Sequence, residues 1–183
     1  MHFNGKKKNK KLITIARIEE KQKNFDAMID ICNRLKGEYR LDIYGDGDIN
    51  EIQKLLDKIK DIPYINYCGV AKDVEAILSK YSIFIITSYY EGFGQTLIEA
   101  RSQGLPIVGF NTYESFSWIV SDHYNGRGIV PFDNDSFCEA IKDVYNNYDY
   151  YSINSLSKAN ETTMELIDKK WENLISRLKG NSE

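Results

Sequence analysis

Short runs of almost wholly apolar residues alternate along this chain with amphipathic stretches. LITIA (12–16), YRLDIYG (39–45), INYCG (65–69), SIFIITS (82–88), LPIVGF (105–110) and GRGIVP (126–131) read as strands. Between them, FDAMIDICNRLK (25–36) sets Phe25, Met28, Ile29, Cys32 and Leu35 at helical spacing. INEIQKLLDKI (49–59) does the same with Ile49, Ile52, Leu55, Leu56 and Ile59. KDVEAILSKY (72–81) and GQTLIEARSQG (94–104) read as helices, the second closed by Gly104, and SFSWIVSD (115–122) as a helical turn. Two further helices are predicted at about 134–149 and about 160–179, with YNNYDYYSINSLS (145–157) as a helix end and polar connection. Buried strands alternating with helices predict a parallel sheet covered on both faces. The expected fold is therefore α/β, a Rossmann-like doubly wound sheet of about six strands. Such sheets bind ligands beyond the carboxyl ends of their strands, where the strand order reverses.

Composition narrows this only a little. The chain has 183 residues, 42% apolar and 28% charged, which suits one soluble domain with a sizeable core. The net charge of −3 singles out no partner. Five lysines (6, 7, 8, 10 and 11) crowd the first eleven residues, and the remainder carries 19 basic against 27 acidic residues. Residues 1–11 read as a basic lead-in or interdomain linker and residues 12–180 as the domain; nucleic acid is not an expected partner. No apolar run approaches the roughly 20 residues of a membrane span, and no signal-peptide core follows Met1. Cys32, Cys68 and Cys138 form neither a disulfide framework nor a metal-binding spacing. A cytoplasmic protein is expected.

Four loops at strand carboxyl ends are the places for chemistry. ARIEEKQKN (16–24) offers Arg17 and Lys23, two cations able to grip a pyrophosphate, or to remain solvated surface charges. YGDGDIN (44–50) looks like the front of a calcium loop, but the sixth and twelfth positions from Asp46 are Glu51 and Asp57, not the required Gly and Glu. It reads better as a Gly-x-Gly turn without the full dinucleotide fingerprint. CGVAKD (68–73) is a plain strand-to-helix turn. YYEGFGQTLIEA (89–100) is the richest. Gly92 and Gly94 allow close approach to a backbone that turns into a helix, and a helix start offers free N–H groups and a partial positive charge to a phosphate. Glu99, one turn past Gln95, leans back toward that start and can accept from sugar hydroxyls, a ribose being the obvious case. Glu91, before the turn, can meet hydroxyls or developing positive charge on the group at the phosphate's far end. An acidic residue near a helix start is also favourable for its own sake. His2 and His123 have no zinc-site partners in sequence, and neither a nucleophile elbow nor a Walker loop occurs.

Taken together, EGFGQTLIEARSQGLPIV, the strand ending in TS, Asn125-Gly126 before the last strand, ARIEEKQKNF, LDIYGDGD, INYCGV and Trp171 resemble family-four retaining glycosyltransferases of the two-domain B type (GT-B). The resemblance covers roughly residues 12 to 178. It implies the donor-binding, C-terminal half of such an enzyme, with an N-terminal acceptor-binding domain absent from this chain. Arg17 and Lys23 would hold the donor diphosphate, with Lys21 a rival for the lysine role. Val70 would offer backbone contacts to the base. Gly92, Phe93 and Gly94 would line the sugar and diphosphate, and Thr96 and Leu97 would add N–H groups. Glu99 would hold the ribose hydroxyls. Glu91 would be the catalytic residue, stabilising an oxocarbenium-like transition state. The donor would be a nucleotide-diphosphate sugar, a UDP-sugar by preference, with no cofactor or metal. Peripheral membrane contact would come through the absent half. The sequence departs from the family at Ala16, where a glycine is usual, and at YESFSWIV (113–120), where glycines and a Glu are usual. The residues also leave open a non-catalytic nucleotide-binding module, or a nucleotide-sugar epimerase or phosphorylase on the same fold.

Overall fold

The computed structural model describes residues 9–180. Six strands form one sheet: β1 (Lys11–Ile15), β2 (Arg40–Tyr44), β3 (Ile65–Tyr67), β4 (Ile83–Ile86), β5 (Ile107–Phe110) and β6 (Gly126–Ile129). All pairings are parallel and the order is β3-β2-β1-β4-β5-β6. The chain runs outward from β1 through β2 to β3, then returns to pair β4 on the other side of β1, Leu12 lying opposite Ile83. The order reverses between β1 and β4, so the loops leaving these two strands face one crevice.

Nine helices complete the described residues: α1 (Glu20–Lys23), α2 (Phe25–Arg34), α3 (Ile49–Ile59), α4 (Val74–Leu78), α5 (Gln95–Ser102), α6 (Glu114–Ile119), α7 (Asn134–Asn146), α8 (Tyr148–Asn160) and α9 (Met164–Gly180). Strand side chains alternate between two cores, as the pleat demands. On one face Leu12, Leu41, Ile85 and Val108 join apolar residues of α2, α3 and α7. On the other Ile13, Phe84, Ile86 and Ile107 join those of α4, α5 and α6. Because both faces of the central strands β4 and β5 are buried, these carry no polar alternation, whereas β2, nearer the edge, alternates Arg40 and Asp42 with buried Leu41 and Ile43.

The structure departs from the sequence-based expectation in two elements. Residues 20–23, read as loop, form the single turn α1. The stretch 145–157, read as a polar connection, is mostly helix: α7 stops at Asn146 and α8 begins at Tyr148. The buried face of α8 is Tyr148, Tyr151, Ser152 and Ser155, a helical spacing written in tyrosines and serines. Its two buried serine hydroxyls are satisfied by backbone, Ser152 donating to the Gly104 carbonyl at 2.7 Å and Ser155 to the Asn125 carbonyl at 3.2 Å, while the Tyr151 hydroxyl donates to the Asp143 carboxylate at 2.7 Å. Of the lead-in, Lys6, Lys7 and Lys8 lie outside the described residues, Lys10 pairs with Glu38, and Lys11 already belongs to β1.

Candidate functional site: a polar crevice at the reversal of strand order

The loop after β1 is fixed from below by the loop after β2. Ala16 N–H donates to the Tyr44 carbonyl (3.0 Å) and Ile18 N–H to the Asp46 carbonyl (2.8 Å). A Cβ on Gly45 or Gly47 would run into the Ala16 or Ile18 carbonyl oxygen. The Gly-x-Gly of this loop therefore serves close approach between two backbones. Asp48 caps α3, accepting from Asn50 N–H at 2.8 Å, and Asp46 accepts from Gly47 N–H at 2.9 Å.

The same β1 loop is stitched to the loop after β4. The fully buried Thr87 hydroxyl contacts the carbonyls of Lys23 and Asn24 at 3.0 and 2.9 Å. Tyr89 N–H donates to the Gln22 carbonyl (2.9 Å), and the Gln22 amide to the Tyr90 carbonyl (3.2 Å). Asn24, with φ of 53°, ends α1 and caps α2 through its side chain, accepting from Ala27 N–H. Asparagine tolerates this left-handed conformation better than most residues.

This stitching places Lys23 against Glu91. The Lys23 ammonium lies 2.7 Å from Glu91 Oε1 and 2.8 Å from Oε2, with the two side chains 10% and 11% exposed. Ser88 Oγ donates to the same Oε1 at 2.6 Å. A lysine and a glutamate this buried require pairing. The two candidate lysines differ in placement: Lys23 is buried against Glu91, whereas Lys21 is exposed and lines a groove with Arg17, Glu19, Asp48 and Glu51. Arg17 is exposed and pairs with no carboxylate among the described residues.

Beyond Glu91 the chain turns through Gly92-Phe93-Gly94 into α5. Gly94 is the N-cap of that helix with φ of 86°, and a Cβ there would lie 3.3 Å from Ile119 Cδ1, a tight contact. A Cβ on Gly92 would meet nothing within 4 Å. Phe93 stands half-exposed with its ring centroid 5.7 Å from that of Trp118. Trp118 in turn covers the buried Arg101, whose guanidinium donates to the Ile119 carbonyl and the Thr162 hydroxyl. Burial holds Arg101 below its ordinary pKa.

An open cleft of about 490 Å³ runs between the loops after β1, β2 and β3 and the start of α5, lined by Arg17, Gly45, Gly47, Val70, Val74 and Thr96 among others. It brings together Arg17, Val70 and Thr96 from three distant parts of the sequence. Glu99 follows Thr96 on the same helix face, partly exposed and held only by a long contact from Gln95 at 3.4 Å. Leu97 is fully buried in the core, and its N–H already donates to the Gly94 carbonyl at 3.0 Å. Of the two helix-start donors named from sequence, Thr96 alone therefore lines the cleft.

Three contributors escaped the sequence reading. Ser88 and Thr87 hold the glutamate and the lysine loop; they follow β4 directly, and in the sequence their TS entered only as part of a resemblance, with no role for either. Tyr113 is the third. Its hydroxyl is buried with no hydrogen-bond partner among the described residues, and burial, reinforced by the charge of Glu91, pushes its pKa well above the usual value.

A reversed parallel sheet with two cations on the loop after β1 and a glycine turn opening a helix after β4 is a frame shared by many phosphate-binding folds. Comparison with known proteins decides among them. A family model described as glycosyl transferases group 1 matches residues 9–147. The chain belongs to that family. Its fold is that of the GT-B glycosyltransferases. It is 29% identical over 188 residues to the UDP-N-acetylglucosamine–peptide N-acetylglucosaminyltransferase GtfA subunit of Limosilactobacillus reuteri, across 95% of this chain and 36% of that protein. The GtfA subunit of Streptococcus pneumoniae is 32% identical over 139 residues, covering 73% of this chain and 27% of its own length. The solved pneumococcal O-GlcNAc transferase GtfA, in complex with UDP and GlcNAc, superposes with a TM-score of 0.77 at 26% identity, over 93% of this chain and 36% of that one. The GtfA/B complex matches in fold, with a TM-score of 0.84 at 24% identity over 97% of this chain. The chain thus spans about a third of the length of these relatives.

Proposed function

We propose that this glycosyltransferase domain binds a nucleotide-diphosphate sugar, with UDP as the nucleotide, and forms the donor half of a retaining hexosyltransferase acting in glycan or polysaccharide synthesis. The observation that carries the reading is the convergence of Arg17, Lys23, Glu91, the Gly92–Gly94 turn and the α5 start at the reversal of strand order. The pneumococcal neighbour, solved with UDP and GlcNAc, supports the choice of nucleotide.

On this reading the diphosphate lies over the start of α5 between Arg17 and Lys23. As the sugar–oxygen bond breaks, negative charge grows on the leaving diphosphate, and fixed cations and N–H dipoles stabilise it without reorganising. Val70 faces the base through its backbone. Gly92, Phe93 and Gly94 border the sugar and diphosphate, Thr96 adds an N–H group, and Glu99 takes the ribose hydroxyls. Glu91, paired with Lys23, sits where positive charge develops on the sugar ring. A domain holding only the donor side of a cleft is expected to bind nucleotide yet transfer little sugar.

The test is calorimetric titration with UDP, GDP and ADP. UDP should bind with the highest affinity, and Arg17→Ala and Glu99→Ala should each weaken it about tenfold, the scale of one lost charge-assisted hydrogen bond. Negligible binding of all three nucleotides would overturn the reading. Binding that survives both substitutions would move the site elsewhere.

A further inference from the structure

The lysine assigned to the diphosphate is paired with a carboxylate in the structure. Lys23 spends hydrogen bonds on both oxygens of Glu91, at 2.7 and 2.8 Å, in a pocket where each side chain is about nine-tenths buried. Arg17, the other cation of the same loop, pairs with no carboxylate among the described residues and is exposed. Glu91 has an anchor besides Lys23: Ser88 Oγ donates to Oε1 at 2.6 Å. Ser88 is itself 1% exposed, and its carbonyl accepts from the Thr112 hydroxyl at 2.7 Å. The carboxylate can therefore stay in place when the ammonium turns away, whereas the ammonium has no other acceptor among the described residues.

We propose that Glu91 is an internal competitor for the diphosphate: it pairs with Lys23, and an incoming nucleoside diphosphate takes the lysine over while Ser88 keeps Glu91 oriented toward the donor sugar. This rests on the donor-site reading above. Lys23 is then a handover residue that links occupation of the diphosphate position to release of the Glu91 carboxylate. A buried charge changes partners at modest cost only if a new opposite charge arrives as the old one leaves, and a phosphate oxygen supplies it. Glu91 loses a cation just when a sugar hydroxyl or a developing positive charge needs its oxygens. Ser88 is a positioning residue in this scheme, acting through Glu91.

The consequence is counterintuitive for a residue assigned to catalysis. Removing the Glu91 charge should tighten binding of UDP and of inorganic pyrophosphate, because Lys23 no longer has to be taken from a partner. Glu91→Gln is expected to bind UDP about tenfold more tightly than the unsubstituted chain, the scale of one charged hydrogen bond no longer sacrificed. General repulsion between a carboxylate and a phosphate would produce a similar gain, so the cycle with Lys23→Ala decides. Under the handover account, Glu91→Gln gives its gain in the Lys23 background and none in the Lys23→Ala background. Glu91→Asp keeps the charge but retracts it by one methylene, and should give a smaller gain that also requires Lys23; it serves if Glu91→Gln fails to fold. All variants are titrated with UDP and with pyrophosphate, with thermal unfolding followed in parallel. Equal or weaker UDP binding by both Glu91 variants, or a gain that persists without Lys23, overturns the handover while leaving the donor site standing. Absence of UDP binding by the unsubstituted chain overturns the donor-site reading itself, and the handover with it.

Discussion

At the residue scale, the two glycines of EGFG separate what the fold needs from what a ligand needs. Gly94 holds φ of 86°, which an L side chain rarely adopts, and a Cβ there would lie tight against Ile119. Gly94→Ala should destabilise the chain by about 1–3 kcal/mol through backbone strain alone, read from urea unfolding midpoints. Gly92 has open space around it and no such φ. Gly92→Ala should leave stability within about 0.5 kcal/mol of the original while weakening binding of a nucleotide-sugar, because the methyl group would stand where the donor approaches. If Gly92→Ala bound the donor unchanged, the turn would not border the sugar. Much of the site could be read from residue types: Arg17 and Lys23 as cations on one loop, Gly94 as a turn before a helix, Glu91 and Glu99 on either side. What could not be read was pairing. The contact of Lys23 with Glu91 spans 68 residues, and Ser88 and Thr87 become visible only once the β1 and β4 loops are seen to share hydrogen bonds. Leu97 shows the opposite error: placed near the phosphate by its position in a motif, it is core, with its N–H spent locally.

At the element scale, legibility followed apolarity. Strands buried on both faces and the amphipathic α2 and α3 announced themselves, and α3 runs from Ile49 to Ile59 as its periodicity indicated. Helix α8 did not, because the face it buries is tyrosine and serine, and a search for apolar spacing passes over hydroxyls. It is nevertheless a packing element: Ser152 and Ser155 reach the carbonyls of Gly104 and Asn125, tying α8 to the ends of the α5–β5 and α6–β6 connections. Ile153→Pro, at a half-exposed position in the middle of α8, should therefore cost about 3 kcal/mol, measured by chemical denaturation. A polar connection would absorb the same substitution with little change. The short α1 was missed for a different reason. Four residues carry no periodicity, and its role is to swing Lys23 inward under the β4 loop.

At the scale of the whole molecule, the order β3-β2-β1-β4-β5-β6 does the assembling. The cations of the first loop lie beside the glycine turn before α5 because the sheet reverses between β1 and β4, and Val70, after β3, shares a cleft with Arg17 and Thr96. No described helix is long and apolar enough to cross a membrane. The central claim is that this crevice holds a nucleoside diphosphate, and the most direct measurement is a backbone amide NMR titration of the chain with UDP. The account predicts saturable shifts concentrated at Arg17, Lys23, Val70, Gly92, Phe93, Gly94, Thr96 and Glu99, with α8 and α9 silent. Saturable shifts centred elsewhere, or none at millimolar UDP, would contradict it.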